Sequence, residues 1–150
     1  MSKRTGRSQG ERASALALEM RTLVGKLRRM LREQTGHEDF TSSEVSVLLR
    51  LEKDGPATVS SLARAEAMRP QSMSAVVAVL DAADLVNGAS DPKDGRQTLF
   101  SLTQKCRERM QERRAAKQDW LTKTILAKLS GREQEQLAAA LEILARLVED

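Results

Sequence analysis

Two short clusters in this chain hold side chains whose types and spacing suit contact with a nucleic acid. The first is Arg69-Pro70-Gln71-Ser72-Met73-Ser74-Ala75, and the second is Lys93-Asp94-Gly95-Arg96-Gln97. Pro70 suits the first turn of a helix, because its missing N–H has no helical partner there. At about 100° per residue, such a helix puts Met73, Val76, Val77 and Leu80 on one face. Gln71, Ser74, Ala75, Ala78 and Ala82 fall on the other, with Ser72 at the border. A face that small and polar can lie close to base edges: glutamine pairs with adenine, serine with several bases, and alanine methyls meet the thymine methyl. Arg69 stands where free helical N–H groups also favour an anion, so phosphate contact and base contact are both open to it. Thr41, Thr58 and Ser60 lie at other helix starts and Lys93 in the second cluster; these are candidate phosphate contacts, and for the hydroxyls the simpler role is capping. The plain alternative for the alanine-rich face is packing on another helix.

The elements that must position these residues are legible from the pattern. Thr41-Ser-Ser-Glu44 reads as a capping box that opens a helix carrying Val45, Val47, Leu48, Leu49 and Leu51, stopped at Asp54-Gly55-Pro56. Thr58 caps a short helix from Val59 to about Ala67, and the helix from Pro70 runs to about Ala83. Asn87-Gly88, Asp91-Pro92 and Asp94-Gly95 are turn chemistry, and Leu99, Phe100 and Leu102 supply the return strand of a hairpin. Helix, turn, helix, hairpin is the layout of a winged helix-turn-helix, which offers one helix to the major groove and one loop to the neighbouring minor groove.

Long helices bracket this head. One runs from about Ala13 to Gln34 with Leu16, Met20, Leu23, Leu27 and Leu31 on one face. Another opens at Thr103 and continues to about Leu129. The last follows a capping box at Ser130-Gly-Arg-Glu133 and carries Leu137, Leu141, Leu144 and Val148. Residues 1–12 read as a flexible basic tail, with Lys3, Arg4, Arg7 and Arg12 against Glu11. The tail is either a solvated terminus or an arm that adds nonspecific phosphate contacts. Residues 13–150 are expected to form one winged-helix domain. Its head spans about 41–103, and its association helices about 13–34 and 104–150. The fold class is mostly α with a small β-hairpin wing.

The residues Ser61-Leu-Ala63, Arg69 to Met73, Leu80 to Val86 and Asp91 to Thr103 resemble the multiple-antibiotic-resistance regulator (MarR) family. A wing of the form D-x-R, here Asp94-Gly95-Arg96, followed by a strand ending in Leu102-Thr103, is a specific signature. The resemblance covers nearly the whole chain. It implies a homodimer that binds a pseudo-palindromic operator, with Arg96 reaching the minor groove and Asp94 orienting the basic side chains of the wing. Narrow minor grooves attract arginine through their negative potential. The simpler role for Asp94 and Arg96 is an ion pair in an exposed turn, worth little. The pattern departs at Asn87-Gly88, where relatives often carry a basic residue, which implies fewer phosphate contacts. In such relatives the first and last two helices interlock between subunits; the alternative is a three-helix bundle within a monomer. Two-fold symmetry would set two recognition helices about 34 Å apart. Many relatives release DNA when a small anionic or aromatic compound binds between the helical region and the head.

Composition narrows the function classes. The chain has 150 residues, one His, one Cys and no Tyr. His37 has no recognisable catalytic partner nearby in sequence, and no phosphate-cradling glycine loop is present, so an enzyme is not expected. One His and one Cys cannot build a self-contained zinc site of the usual kind, and no cofactor is expected. Cys106, beside Lys105, Arg107 and Arg109, could sense oxidants if those charges lower its pKa; peroxide-sensing relatives carry their cysteine near the first helix. Met20, Met30, Met68 and Met110 could line an effector cleft, but methionine at helical spacing is more often core. Without a run of about 18 apolar residues or an apolar stretch after the N-terminal charges, a cytoplasmic protein is expected. The net charge of +4 is not concentrated on the head: residues 59–100 hold four basic and five acidic side chains. That favours docking by a few placed arginines, helix N-termini and polar groups. The expected partners are double-stranded DNA, a second copy and an effector; the alternative function is a winged-helix module that binds protein.

Overall fold

The computed structural model describes residues 2–36 and 40–150, with side chains from Ser8 onward. Its elements are α1 (Ser2–Glu33), α2 (Ser42–Asp54), α3 (Val59–Ala65), α4 (Pro70–Ala82), β1 (Val86–Ser90), β2 (Thr98–Leu102), α5 (Gln104–Lys128) and α6 (Gly131–Ala145). The chain divides into two compact units, one of Met1–His37 with Ala115–Asp150 and one of Glu38–Arg114. The head thus takes in the first three turns of α5, beyond the boundary near Thr103 that the pattern places.

The head is held by one apolar core. Val47, Leu48 and Leu51 come from α2, Leu62 and Ala63 from α3, and Met73, Val77 and Leu80 from α4. Leu85, Val86, Leu102 and Cys106 close it. Each large aliphatic side chain buried this way contributes about 1.5–3 kcal/mol. Met68 and Met110 pack against the same core, so both are packing residues of the head. Cys106 is 1% exposed, and its sulfur lies 3.9 Å from that of Met110. Burial among apolar neighbours removes the access that an oxidant sensor needs, so the redox reading is corrected to a structural one.

Local chemistry starts and stops the helices. Thr41 and Glu44 form the reciprocal capping box of α2, Thr41 Oγ1 accepting from the Glu44 amide at 3.2 Å and Glu44 Oε2 from the Thr41 amide at 3.1 Å. Gly55 ends α2 at φ 86°, its N–H bonded to the Leu51 carbonyl. Thr58 caps α3 by accepting from the Ser61 amide at 3.1 Å. The turn from α3 to α4 passes through Ala67 at φ 53°, a left-handed conformation that costs a residue with a Cβ about 1–2 kcal/mol. The Met68 amide bonds the Ala63 carbonyl at 2.8 Å across that turn.

The hairpin corrects one reading of the sequence. β1 and β2 are antiparallel with Val86 opposite Leu102, Gly88 opposite Phe100 and Ser90 opposite Thr98. Asn87 and Gly88 are therefore strand residues rather than a turn. A Cβ on Gly88 would stand 2.7 Å from Thr98 Cγ2 and 3.1 Å from Phe100 Cε1, so glycine serves the close approach of neighbouring side chains. Ala57 adds a single bridge on the far side of β2, with both hydrogen bonds to Phe100 at 2.8 and 3.0 Å.

In the other unit, α1 begins at Ser2 and takes in the stretch expected as a flexible tail. No proline interrupts residues 1–12, and Lys, Arg, Gln and Glu favour a helix enough to carry Gly6 and Gly10 at about 1 kcal/mol each. His37 lies outside the described residues. Residues 146 and 147 form a turn after α6 and the chain bends at residue 148, so Val148 sits beyond the helix rather than on it. Among the described residues, every fully buried side chain belongs to the head. On α1, Leu16 is 56% and Leu23 67% exposed; on α6, Leu141 is 54% exposed.

Candidate nucleic-acid interface

The helix α4 has the two faces that its sequence requires. Met73, Val77 and Leu80 are buried and Val76 is half-buried against the core. Gln71, Ser72, Ser74, Ala75, Ala78 and Ala82 are exposed. Val79, which the sequence reading leaves unassigned, is also exposed on this helix. Arg69 is the N-cap residue, extended at φ −70° and ψ 145°, and its side chain makes no capping hydrogen bond. Pro70 follows without an N–H. The first turn of α4 therefore offers amides that no capping side chain occupies, at the positive end of the helix dipole.

The tip of the wing is a braced loop. The Asp91 amide bonds the Gln97 carbonyl at 2.9 Å, and the Gln97 amide bonds the Asp94 carbonyl at 3.0 Å. Two carboxylates turn inward on the loop backbone: Asp91 Oδ1 accepts from the Lys93 amide at 2.9 Å and Asp94 Oδ1 from the Arg96 amide at 3.1 Å. Asp94 thus holds the backbone of Arg96. The side chains of Lys93 and Arg96 are exposed.

The hydroxyl candidates divide by occupation. Thr41 and Thr58 spend their oxygens on helix caps. A capping hydroxyl keeps a second lone pair, though the Thr58 hydroxyl also donates to Ser61 Oγ at 3.3 Å. Ser60 is exposed in the first turn of α3.

Two ion-pair groups that brace the head escape the sequence reading. Glu66, the C-cap residue of α3, receives Ser46 Oγ at 2.9 Å and Arg50 Nε at 2.9 Å. The Arg50 guanidinium and the Ser46 hydroxyl hold its carboxyl below the usual carboxylate range. Glu52 on α2 pairs through both oxygens with Arg114 on α5. That hydrogen-bonded guanidinium likewise lowers the Glu52 carboxyl, and the Glu52 carboxylate in turn raises Arg114. The partners are 16, 20 and 62 residues apart in the chain, so no local motif announces them. Among the described residues no group of three or more His, Cys, Asp or Glu could hold a metal ion, and no helix is long and apolar enough to cross a membrane.

A head of three short helices, with an exposed polar face on the third and a braced hairpin after it, defines a winged helix-turn-helix protein. The sequence model of the MarR family matches residues 38–97. An HTH-type transcriptional regulator of Mycobacterium tuberculosis is 34% identical over 135 residues, 90% of this chain and 94% of that protein. The crystal structure of a transcriptional regulator from Pseudomonas aeruginosa is similar at a TM-score of 0.76 and 32% identity, covering 90% of this chain and 94% of that one. A MepR mutant of S. aureus, solved bound to an oligodeoxyribonucleotide, shares the fold at a TM-score of 0.70 and 19% identity, over 89% of this chain and 97% of that one. The chain belongs to the MarR family: it is a transcriptional regulator with a DNA-binding helix-turn-helix, and not an enzyme.

Proposed function

We propose that this regulator reads a pseudo-palindromic operator as a homodimer, with α4 in the major groove and the wing in the flanking minor groove. The observation that carries the reading is the exposed face of α4. Gln71, Ser72, Ser74 and Ala75 stand there with no bulky charged side chain, opposite the buried Met73, Val77 and Leu80. A helix can approach base edges closely only if its groove-facing side chains are short or able to hydrogen-bond. In this reading Gln71, Ser72 and Ser74 carry base selection, and Ala75 meets a thymine methyl. Arg69, with Pro70 setting the helix start, and Lys93 and Arg96 supply phosphate and minor-groove contacts. Thr41, Thr58 and Ser60 add phosphate contacts from helix starts.

The dimer is supported by the second unit. Its helices leave Leu16, Leu23, Leu141 and Leu144 exposed in the single chain, and a second copy would cover them. Repression, release by a small-molecule effector and a cytoplasmic location are the finer part of the proposal and rest on family membership.

The test is selection of preferred sequences from a randomised duplex library, followed by binding of Gln71→Ala and Arg69→Ala to the variants. Gln71→Ala is expected to cost about 1–3 kcal/mol on the preferred site and to relax one base pair per half-site. Arg69→Ala is expected to weaken preferred and random DNA alike. An unaltered base profile for Gln71→Ala would turn this helix into a protein-binding surface.

A further inference from the structure

We infer that Ser46, Arg50 and Glu66 form a positioning clamp that sets the sequence selectivity of α4 without touching DNA; the inference rests on the DNA-reading proposal above. The starting point is a difference among the helix starts. α2, α3 and α6 each open on a hydroxyl that accepts an amide of their own first turn. The helix α4 opens on Arg69 with no side-chain cap. Its placement therefore depends on its buried face and on the turn that feeds it, residues 66–69.

Glu66 is the first residue of that turn. One carboxylate receives Ser46 Oγ at 2.9 Å on both of its oxygens and Arg50 Nε at 2.9 Å, all from α2. Arg50 is also steadied from the other side by Asp54 at 3.7 Å. The Glu66 side chain is only 16% exposed, so the pair is screened less than one in open solvent. The next residue is Ala67 in the left-handed region, a backbone state that persists only where the surroundings hold it. The clamp thus ties the helix-turn-helix corner to α2.

The two kinds of DNA contact respond differently to such a tie. Base-edge hydrogen bonds need a donor–acceptor distance within a few tenths of an ångström and a nearly straight angle. Attraction to phosphates acts over about 10 Å at moderate salt. A small shift of the corner would spoil the first and leave the second. The clamp should therefore govern the ratio of specific to nonspecific affinity.

The experiment measures that ratio for wild type, Arg50→Met, Glu66→Ala and Ser46→Ala. It uses the site that wild type selects from a random library and a random-sequence duplex of equal length, with helix content checked by circular dichroism. Arg50→Met removes a positive charge and Glu66→Ala a negative one, so their electrostatic effects on binding are opposite. A loss of selectivity common to both, expected at about tenfold, the scale of one lost base contact, cannot come from net charge. Arg50→Lys keeps the charge and one donor and should recover part of the ratio. If one variant fails to fold, Ser46→Ala, which deletes a single hydroxyl, carries the measurement at smaller amplitude. Unchanged ratios in the folded variants overturn the clamp and leave the DNA-reading proposal standing. A wild type that selects no sequence overturns the DNA-reading proposal, and the clamp with it.

Discussion

The buried hydroxyl of Thr103 donates to the Asp84 carbonyl at 2.8 Å and accepts the Cys106 amide at 3.0 Å. One side chain thereby starts α5 and ties it to the corner after α4, where Asp84 sits in the left-handed region at φ 60°. The Thr103 amide adds a bond to the Leu85 carbonyl at 3.0 Å. This gives the Leu102-Thr103 pair at the end of the hairpin a physical reason. Leu102 fills the core, and Thr103 joins three segments. Thr103→Val keeps the shape and loses both hydroxyl bonds. It is expected to cost about 1–3 kcal/mol, the scale of a buried group left unsatisfied, while Thr103→Ser costs much less. Urea unfolding of the two variants beside wild type checks the difference.

Arg96→Ala should weaken DNA binding without altering the fold. The Arg96 amide is held by Asp94, so the loop keeps its shape when the side chain is cut. Loss of one contact to the phosphate-lined groove should lower the slope of log affinity against log salt by about one unit. Fluorescence anisotropy across a salt series reads this directly. Equal affinity and slope for wild type and variant would show that Arg96 does not meet DNA.

Leu141→Asp with Leu144→Asp should abolish the proposed dimer. Both leucines are exposed on α6 in the single chain, so in a monomer the change would be nearly harmless. In an interface it would bury charges without partners. Light scattering at micromolar concentration is expected to show a dimer for wild type and a monomer or unfolded chain for the double variant. A monomeric wild type would sink the proposed assembly.

Acid should destabilise the head through Glu66 and Glu52. Hydrogen bonds from Arg50 and Ser46 to Glu66, and from Arg114 to Glu52, hold both carboxyls below their ordinary value of about 4.5. The unfolded chain therefore binds protons first as the pH falls. The stability that these pairs supply is present in full above the ordinary value and is lost as the pH drops through the lower, folded values. Glu66→Gln and Glu52→Gln should each flatten this acid limb and leave a lower, less pH-dependent stability near neutrality. Unfolding midpoints followed from about pH 6 to pH 3 test the expectation.

Much of the head could be read from the chain alone, and the reason is that its signals are local. The capping box Thr41–Glu44 links positions three apart, as does the box Ser130–Glu133 in the other unit, and the buried face Met73, Val77, Leu80 spans two turns. Pro70 and the D-x-R loop mark the start of α4 and the tip of the hairpin by their own conformational preferences. Such features depend on neighbours within a turn of helix, so spacing exposes them. The exposed set Gln71, Ser74 and Ala75, with Ser72 at its border and Arg69 at the helix start, follows from the same arithmetic, whereas Arg96 is singled out by family resemblance.

Only the tertiary structure decided the rest. Asn87-Gly88 has turn composition, yet pairing with Phe100 and Ser101 makes it strand; the glycine is required by a side chain that arrives from across the hairpin. The joining of Ala57 to Phe100, of Ser46 and Arg50 to Glu66, and of Glu52 to Arg114 bridges residues that no periodicity relates. Cys106 lies among basic residues in sequence and among apolar ones in space, because the helix turns it into the core while Lys105 and Arg107 point out. Local preference determined which helices and turns this chain could form. Packing determined which of their side chains became core, clamp or open surface, since burial depends on partners distant in the chain.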